Sequence, residues 1–127
     1  MDKKIVMVVE DETLLLSAIE KKLTASGYQV IPCTSGEEAL SFLSTATKMP
    51  SVIWLDYYLG GMDANGFVKQ LKKDEKTAHI PVVIVSNSAS EEKKKEMLAL
   101  GVTRYILKAQ YKLDDIMTIL EEEMKSN

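Results

Sequence analysis

Five short apolar segments mark the chain, and between them apolar residues recur at helical spacing. Ile5-Val6-Met7-Val8-Val9 is an unbroken run that stops at Glu10-Asp11-Glu12. Val52-Ile53-Trp54-Leu55 runs straight into Asp56, and Pro81 opens a third run through Val85 that ends in Ser86-Asn87-Ser88. Continuous apolar runs of this length are what strands buried on both faces of a parallel sheet require. A more polar segment from Tyr28 to Cys33, and Arg104 to Leu107 with Lys108 at its end, complete five predicted strands.

The intervening segments read as helices. Leu15, Ile19 and Leu23 share a face, with Gly27 as the stop; Leu14, Leu15 and Leu16 are read as core or near-core. Ser35 and Glu38 stand three apart, as a capping box requires, and open a helix through Leu43. Phe67, Val68 and Leu71 mark a short amphipathic helix, preceded by a turn-rich loop from Tyr57 to Gly66 that is expected to be the most mobile stretch. Ser88 and Glu91 form a second capping pattern for a helix through Leu100, which Gly101 ends. Leu113, Ile116, Met117, Leu120 and Met124 form the apolar stripe of a last helix, and Ile119, off that stripe, is expected to be exposed. Alternating strands and helices with short connections predict an α/β fold, a single doubly wound parallel sheet flanked by five helices.

Length makes this one domain, 1–127, with room for a single core. The net charge of −3 argues against a generic nucleic-acid surface, which needs a basic field. No apolar run is long enough to span a membrane or serve as a signal peptide, so neither membrane insertion nor export is expected and the default location is cytoplasmic. Cys33, the single cysteine, is read as a buried reduced thiol, and the lone His79 as a loop residue.

The chemistry gathers at the carboxyl ends of the predicted strands, where Glu10 and Asp11, Asp56, Ser86 and Lys108 would converge on one sheet edge. Carboxylates about 5 Å apart repel by about 3 kcal/mol per pair at an effective dielectric of about 20, so three in one pocket imply a cation. All-oxygen ligation favours a hard ion such as Mg²⁺. A lysine and a hydroxyl opposite the acids suit a phosphoryl group. Asp56 ends the most apolar strand and is the best candidate for a nucleophile that forms an aspartyl phosphate, which leaves Glu10 and Asp11 for the metal.

Val8-Val9-Glu10-Asp11-Glu12, Ile53-Trp54-Leu55-Asp56, Val83-Ile84-Val85-Ser86 and Tyr105-Ile106-Leu107-Lys108 together resemble the four signature segments of the response-regulator receiver domain, CheY-like and flavodoxin-like in fold. The likeness covers essentially the whole chain. It implies strand order 2-1-3-4-5 and phosphorylation of Asp56 by a histidine kinase or phosphotransfer protein in a two-component phosphorelay. It further implies Mg²⁺ held by Asp11, Asp56 and the backbone carbonyl of Tyr58, with Glu10 acting largely through water. Lys108 would pair with the phosphoryl oxygens, Ser86 would bond them, and Tyr105 would turn inward and remodel the surface of the fourth helix, fifth strand and fifth helix. The implied partners are a kinase and a downstream target or output domain, with no direct nucleic-acid contact; a phosphorylation-dependent dimer stays open.

Three residues depart from the family pattern. Ala109 follows Lys108 where proline is usual, and a trans bond is expected there. Gly60 replaces a proline, and the next glycine stands at Gly66, which implies a longer, looser loop. Tyr58 is bulky where it would overhang a phosphoryl group, which implies slower attack by water.

Other readings weigh less. A haloacid-dehalogenase phosphatase needs a second acid two residues after its nucleophile, where Tyr58 stands. No Walker A or Gly-x-Gly-x-x-Gly sequence supports nucleotide binding. A phosphorylation-independent interaction module on the same fold is the remaining alternative, and the intact acids and Lys108 count against it. By this reading the chain is a signalling switch rather than an enzyme. Glu12 alone fits a helix N-terminal acid, Tyr105 alone a strand aromatic, and the run Glu91 to Glu96 a solvated helix face.

Overall fold

A computed structural model of the chain describes residues 3–87 and 90–125. The order is β1 (Ile5–Val9), α1 (Thr13–Ala25), β2 (Gln29–Cys33), α2 (Gly36–Thr45), β3 (Val52–Asp56), α3 (Ala64–Lys73), β4 (Val82–Ser86), α4 (Glu91–Ala99), β5 (Arg104–Leu107) and α5 (Leu113–Lys125), with a 3₁₀ turn at Lys108–Gln110. The strands form one parallel sheet in the order β2-β1-β3-β4-β5, as expected.

The pleat divides the apolar runs between two cores. Met7, Val9, Ile53, Leu55, Val82 and Ile84 face α2, α3 and α4 with Leu43, Phe67, Leu71 and Met97. Val6, Val8, Val52, Trp54, Val83 and Val85 face α1 and α5 with Ile19, Leu23, Ile116 and Leu120. Because β1, β3 and β4 supply both cores at once, their sequences are unbroken apolar runs, up to the terminal Asp56 of β3 and Ser86 of β4, and carry no alternation.

The helix ends follow from local chemistry. Ser35 Oγ accepts the Glu38 N–H at 3.0 Å, while the Glu38 carboxylate reaches past the cap to the Thr34 N–H at 2.6 Å. Gly27 and Gly101 follow their helices at φ of 97° and 101°, a conformation that favours glycine. Ser90 caps α4 by accepting the Lys93 N–H at 3.2 Å; the expected cap Ser88 lies outside the described residues.

Three expectations are corrected. The acceptor loop does not extend to Gly66: Asp63 caps α3 by accepting the Gly66 N–H at 2.9 Å, so the helix begins at Ala64 and Gly66 lies in its first turn. Leu14 is 83% exposed, since it sits two residues, and so about 200° of helix turn, from the buried stripe Leu16, Ile19, Leu23. Ile119 is buried, because the covered arc of α5 is wider than an a/d seam and takes in Ile116, Ile119, Leu120, Glu123 and Met124 together. The charged run Glu91 to Glu96 is a solvated helix face, as expected, exposed at every position except the half-buried Lys93. The Lys108–Ala109 bond is trans, and Cys33 is buried.

Candidate functional site

In this strand order the chain reverses its direction of winding between β1 and β3, the switch point at whose carboxyl ends open α/β sheets place their ligands. Register aligns those ends: Val9 pairs with Leu55, Asp56 with Val85, and Ser86 with Leu107. The residues at and just beyond these strand ends therefore meet at one edge, which is why Glu10, Asp11, Asp56 and Lys108 come together from positions far apart in sequence.

Glu10, Asp11 and Asp56 each place a carboxylate oxygen within 4.8 Å of the others. Glu10 and Asp56 are buried and Asp11 is exposed. Lys108 reaches the cluster from the end of β5, its Nζ 3.0 Å from Glu10 Oε1 and 3.9 Å from Asp56 Oδ2. Glu10 Oε2 accepts the Glu12 N–H at 3.2 Å, so this carboxylate is tied at both oxygens. The Tyr58 N–H donates to Asp56 Oδ1 at 3.3 Å. Burial, and then the charge of Glu10, push the Asp56 carboxyl up to about 7, with Lys108 pulling the other way.

Ser86 is fully buried at the end of β4, on the alternation that faces α3 and α4 with Ile84. Tyr105 is half-buried on β5, its ring centroid 6.2 Å from that of Tyr57. Tyr58 projects its ring outward, 48% exposed, edge-on to Tyr57 at 5.0 Å. Its hydroxyl is hydrogen-bonded by Lys93 of α4. Lys93 and Tyr57 are the members of this neighbourhood that sequence reasoning missed. A lysine within a run of mixed charge carries no signal of aromatic partners on a distant loop; the tyrosine pair directly after Asp56 was the available hint.

The acid cluster fits a Mg²⁺ ion. Oxygen ligands at 2.0–2.1 Å stand about 3 Å apart when adjacent and about 4.2 Å when opposite, so oxygens already within 4.8 Å of one another need little rearrangement. The donors are all oxygen, and Lys108 leaves the cluster one net negative charge or more to be neutralised.

A parallel sheet in the order β2-β1-β3-β4-β5, with acids and a lysine on its switch-point edge, defines a CheY-like α/β protein of the flavodoxin type. Residues 6–121 match the response regulator receiver domain, and the chain belongs to that family, the receiver modules of two-component signalling. Response regulator PleD of Caulobacter vibrioides is 32% identical over 112 residues, which are 88% of this chain and 24% of that protein. The receiver domain of Francisella response regulator 1452 superposes with a TM-score of 0.85 at 26% identity, covering 98% of each chain. The phosphorylated cyanobacterial phytochrome response regulator RcpA does so with a TM-score of 0.81 at 26% identity, over 95% of this chain and 91% of that one.

Membership supports a phosphorylation-dependent role in signalling, with histidine kinases and output domains as the kinds of partner such domains meet. Receiver domains are in general signalling modules rather than enzymes, and they commonly bind Mg²⁺ at an acidic pocket such as the one present here. Among the described residues no helix is long and apolar enough to cross a membrane.

Proposed function

We propose that the chain, residues 1–127 as one domain, is a phosphorylation switch whose acceptor is Asp56. The observation that carries this reading is a buried strand-end aspartate flanked by two further carboxylates and one lysine. In the transfer step an Asp56 oxygen attacks the phosphorus of a phosphohistidine on the kinase or phosphotransfer protein. The P–N bond breaks and the imidazole leaves with its electron pair and takes a proton. The acceptor must be ionised to attack, and it is the burial of Asp56 beside Glu10 that opposes this.

Asp11, Asp56 and the Tyr58 carbonyl would hold Mg²⁺, with Glu10 beside them; bound there, the ion supplies charge neutralisation for the acids and for the incoming phosphoryl oxygens. Lys108, now on Glu10, would move onto a phosphoryl oxygen. The Ser86 hydroxyl would donate to another, and Tyr105 would turn inward as Ser86 moves, altering the α4–β5–α5 surface that a partner or output domain reads. Cytoplasmic location and any output domain beyond this chain belong to the same proposal.

Intact-mass measurement after incubation with Mg²⁺ and acetyl phosphate tests it. The reading expects one added phosphoryl mass on the wild type and none on Asp56→Asn. A folded, Mg²⁺-binding wild type that gains no mass under fast quenching would favour the phosphorylation-independent module.

A further inference from the structure

α4 is held to the fold with little apolar burial: of its nine residues, Met97 alone is buried. On its charged face Lys93 and Glu96 make polar contacts to the loop after Asp56 and to α3. Lys93 Nζ donates to the Tyr58 hydroxyl and lies 4.4 Å from the Tyr58 ring centroid and 5.2 Å from that of Tyr57. Glu96, three residues on and therefore on the same helix face, accepts a hydrogen bond from Asn65 Nδ2 of α3. Tyr58 is thus engaged at both ends, its side chain on α4 and its backbone N–H on Asp56 Oδ1.

We propose that Lys93 is a positioning residue that clasps α4 to the acceptor loop through Tyr58 in the unmodified chain, so that a change at Asp56 which redirects the Tyr58 backbone releases α4. The coupling rests on the reading of Asp56 as acceptor; the clasp itself does not. It gives α4 a direct connection to the acceptor loop, beside Tyr105, whose ring lies 6.2 Å from that of Tyr57. Because a coupling free energy is reciprocal, a partner that binds α4 and takes Lys93 away from Tyr58 tightens the acceptor's hold on a phosphoryl group. Contacts of this exposed kind shift an equilibrium about two- to fivefold each.

The test uses Lys93→Met, Tyr58→Phe and the double variant in the full chain. Methionine keeps the length and helix propensity of lysine, so helix stability is held nearly constant. The first readout is amide hydrogen exchange of α4 without Mg²⁺ or phosphodonor. Each single variant is expected to exchange about two- to fivefold faster in α4, with β1 unchanged and the double variant close to the Lys93→Met value. Wild-type exchange rates in α4 of Lys93→Met would overturn the clasp.

The second readout is titration with Mg²⁺ and beryllofluoride, a phosphoryl mimic that forms on carboxylates, followed by Trp54 fluorescence. Lys93→Met is expected to bind the mimic about two- to fivefold more tightly. Unchanged affinity beside faster α4 exchange would overturn the coupling and leave a local contact. A wild type that binds no mimic would overturn the acceptor reading and the coupling with it, while the exchange data still decide the clasp.

Discussion

Lys108 Nζ sits 3.0 Å from Glu10 Oε1 but 3.9 Å from Asp56 Oδ2, so in the unmodified chain the site's lysine neutralises the fully buried glutamate first. Its removal leaves Glu10 and Asp56 as adjacent buried carboxylates with no opposing charge. Lys108→Met is expected to lower stability by about 1–3 kcal/mol at pH 8, and by less at pH 5, where one of the acids takes up a proton. Urea unfolding at the two pH values measures this, and an equal loss at both would contradict the charge-based explanation.

Asp56 predicts a pH dependence of opposite sign to that of a salt-bridged acid. Its folded carboxyl is pushed up to about 7 from an ordinary value of 3.8, so between those values the folded state holds a proton that the unfolded state has lost. Stability without Mg²⁺ therefore falls as pH rises through that window and levels above it. Asp56→Asn removes the effect and should be more stable than wild type by about 1–2 kcal/mol at pH 8, with the gap closing near pH 4. Thermal unfolding in the presence of a chelator across this range checks the sign.

Mg²⁺ should raise the unfolding temperature of wild type, since an ion that binds the folded acid cluster and not the unfolded chain stabilises by mass action. Asp11→Asn removes the exposed member of the cluster without opening the core and should weaken Mg²⁺ affinity about tenfold or more. Trp54, the only tryptophan and two residues before Asp56, provides a fluorescence titration. An Asp11→Asn affinity equal to wild type would remove Asp11 from the ligand set.

Tyr58 carries a kinetic prediction. Its ring is half exposed and its hydroxyl is held by Lys93, which keeps a bulky side chain beside the acceptor loop. Tyr58→Asn should lose a phosphoryl group from Asp56 several-fold faster than wild type, at a cost to stability of about 1 kcal/mol or less for an exposed position. Loss of added mass over time follows the rate, and an unchanged rate would end the shielding hypothesis.

The sheet was legible because β1, β3 and β4 are buried on both faces, which leaves each as an apolar run that stops at a chemically distinct residue. The same feature exposed the site: Glu10, Asp56, Ser86 and Lys108 are the first polar residues at strand ends, and parallel register brings those ends together. Where sequence reading failed, the cause was angular or long-range. Leu14 and Ile119 were misjudged because three adjacent leucines hide the helix phase and because α5 buries an arc that includes Glu123, itself 3.7 Å from Arg104. The Lys93 clasp was invisible because its partners lie on another element, and a lysine in a charged helix is usually solvated. The start of α3 was misplaced because Gly66 reads as a turn residue, whereas its N–H closes onto the Asp63 cap.

The central claim is that Asp56, and not a neighbouring acid, accepts the phosphoryl group. Reduction of the phosphorylated chain with borohydride converts an aspartyl phosphate to homoserine, and peptide sequencing by mass spectrometry then locates the modified residue. The account predicts homoserine at position 56, dependent on Mg²⁺. Homoserine at position 11 or 63 with Asp56 intact would contradict it.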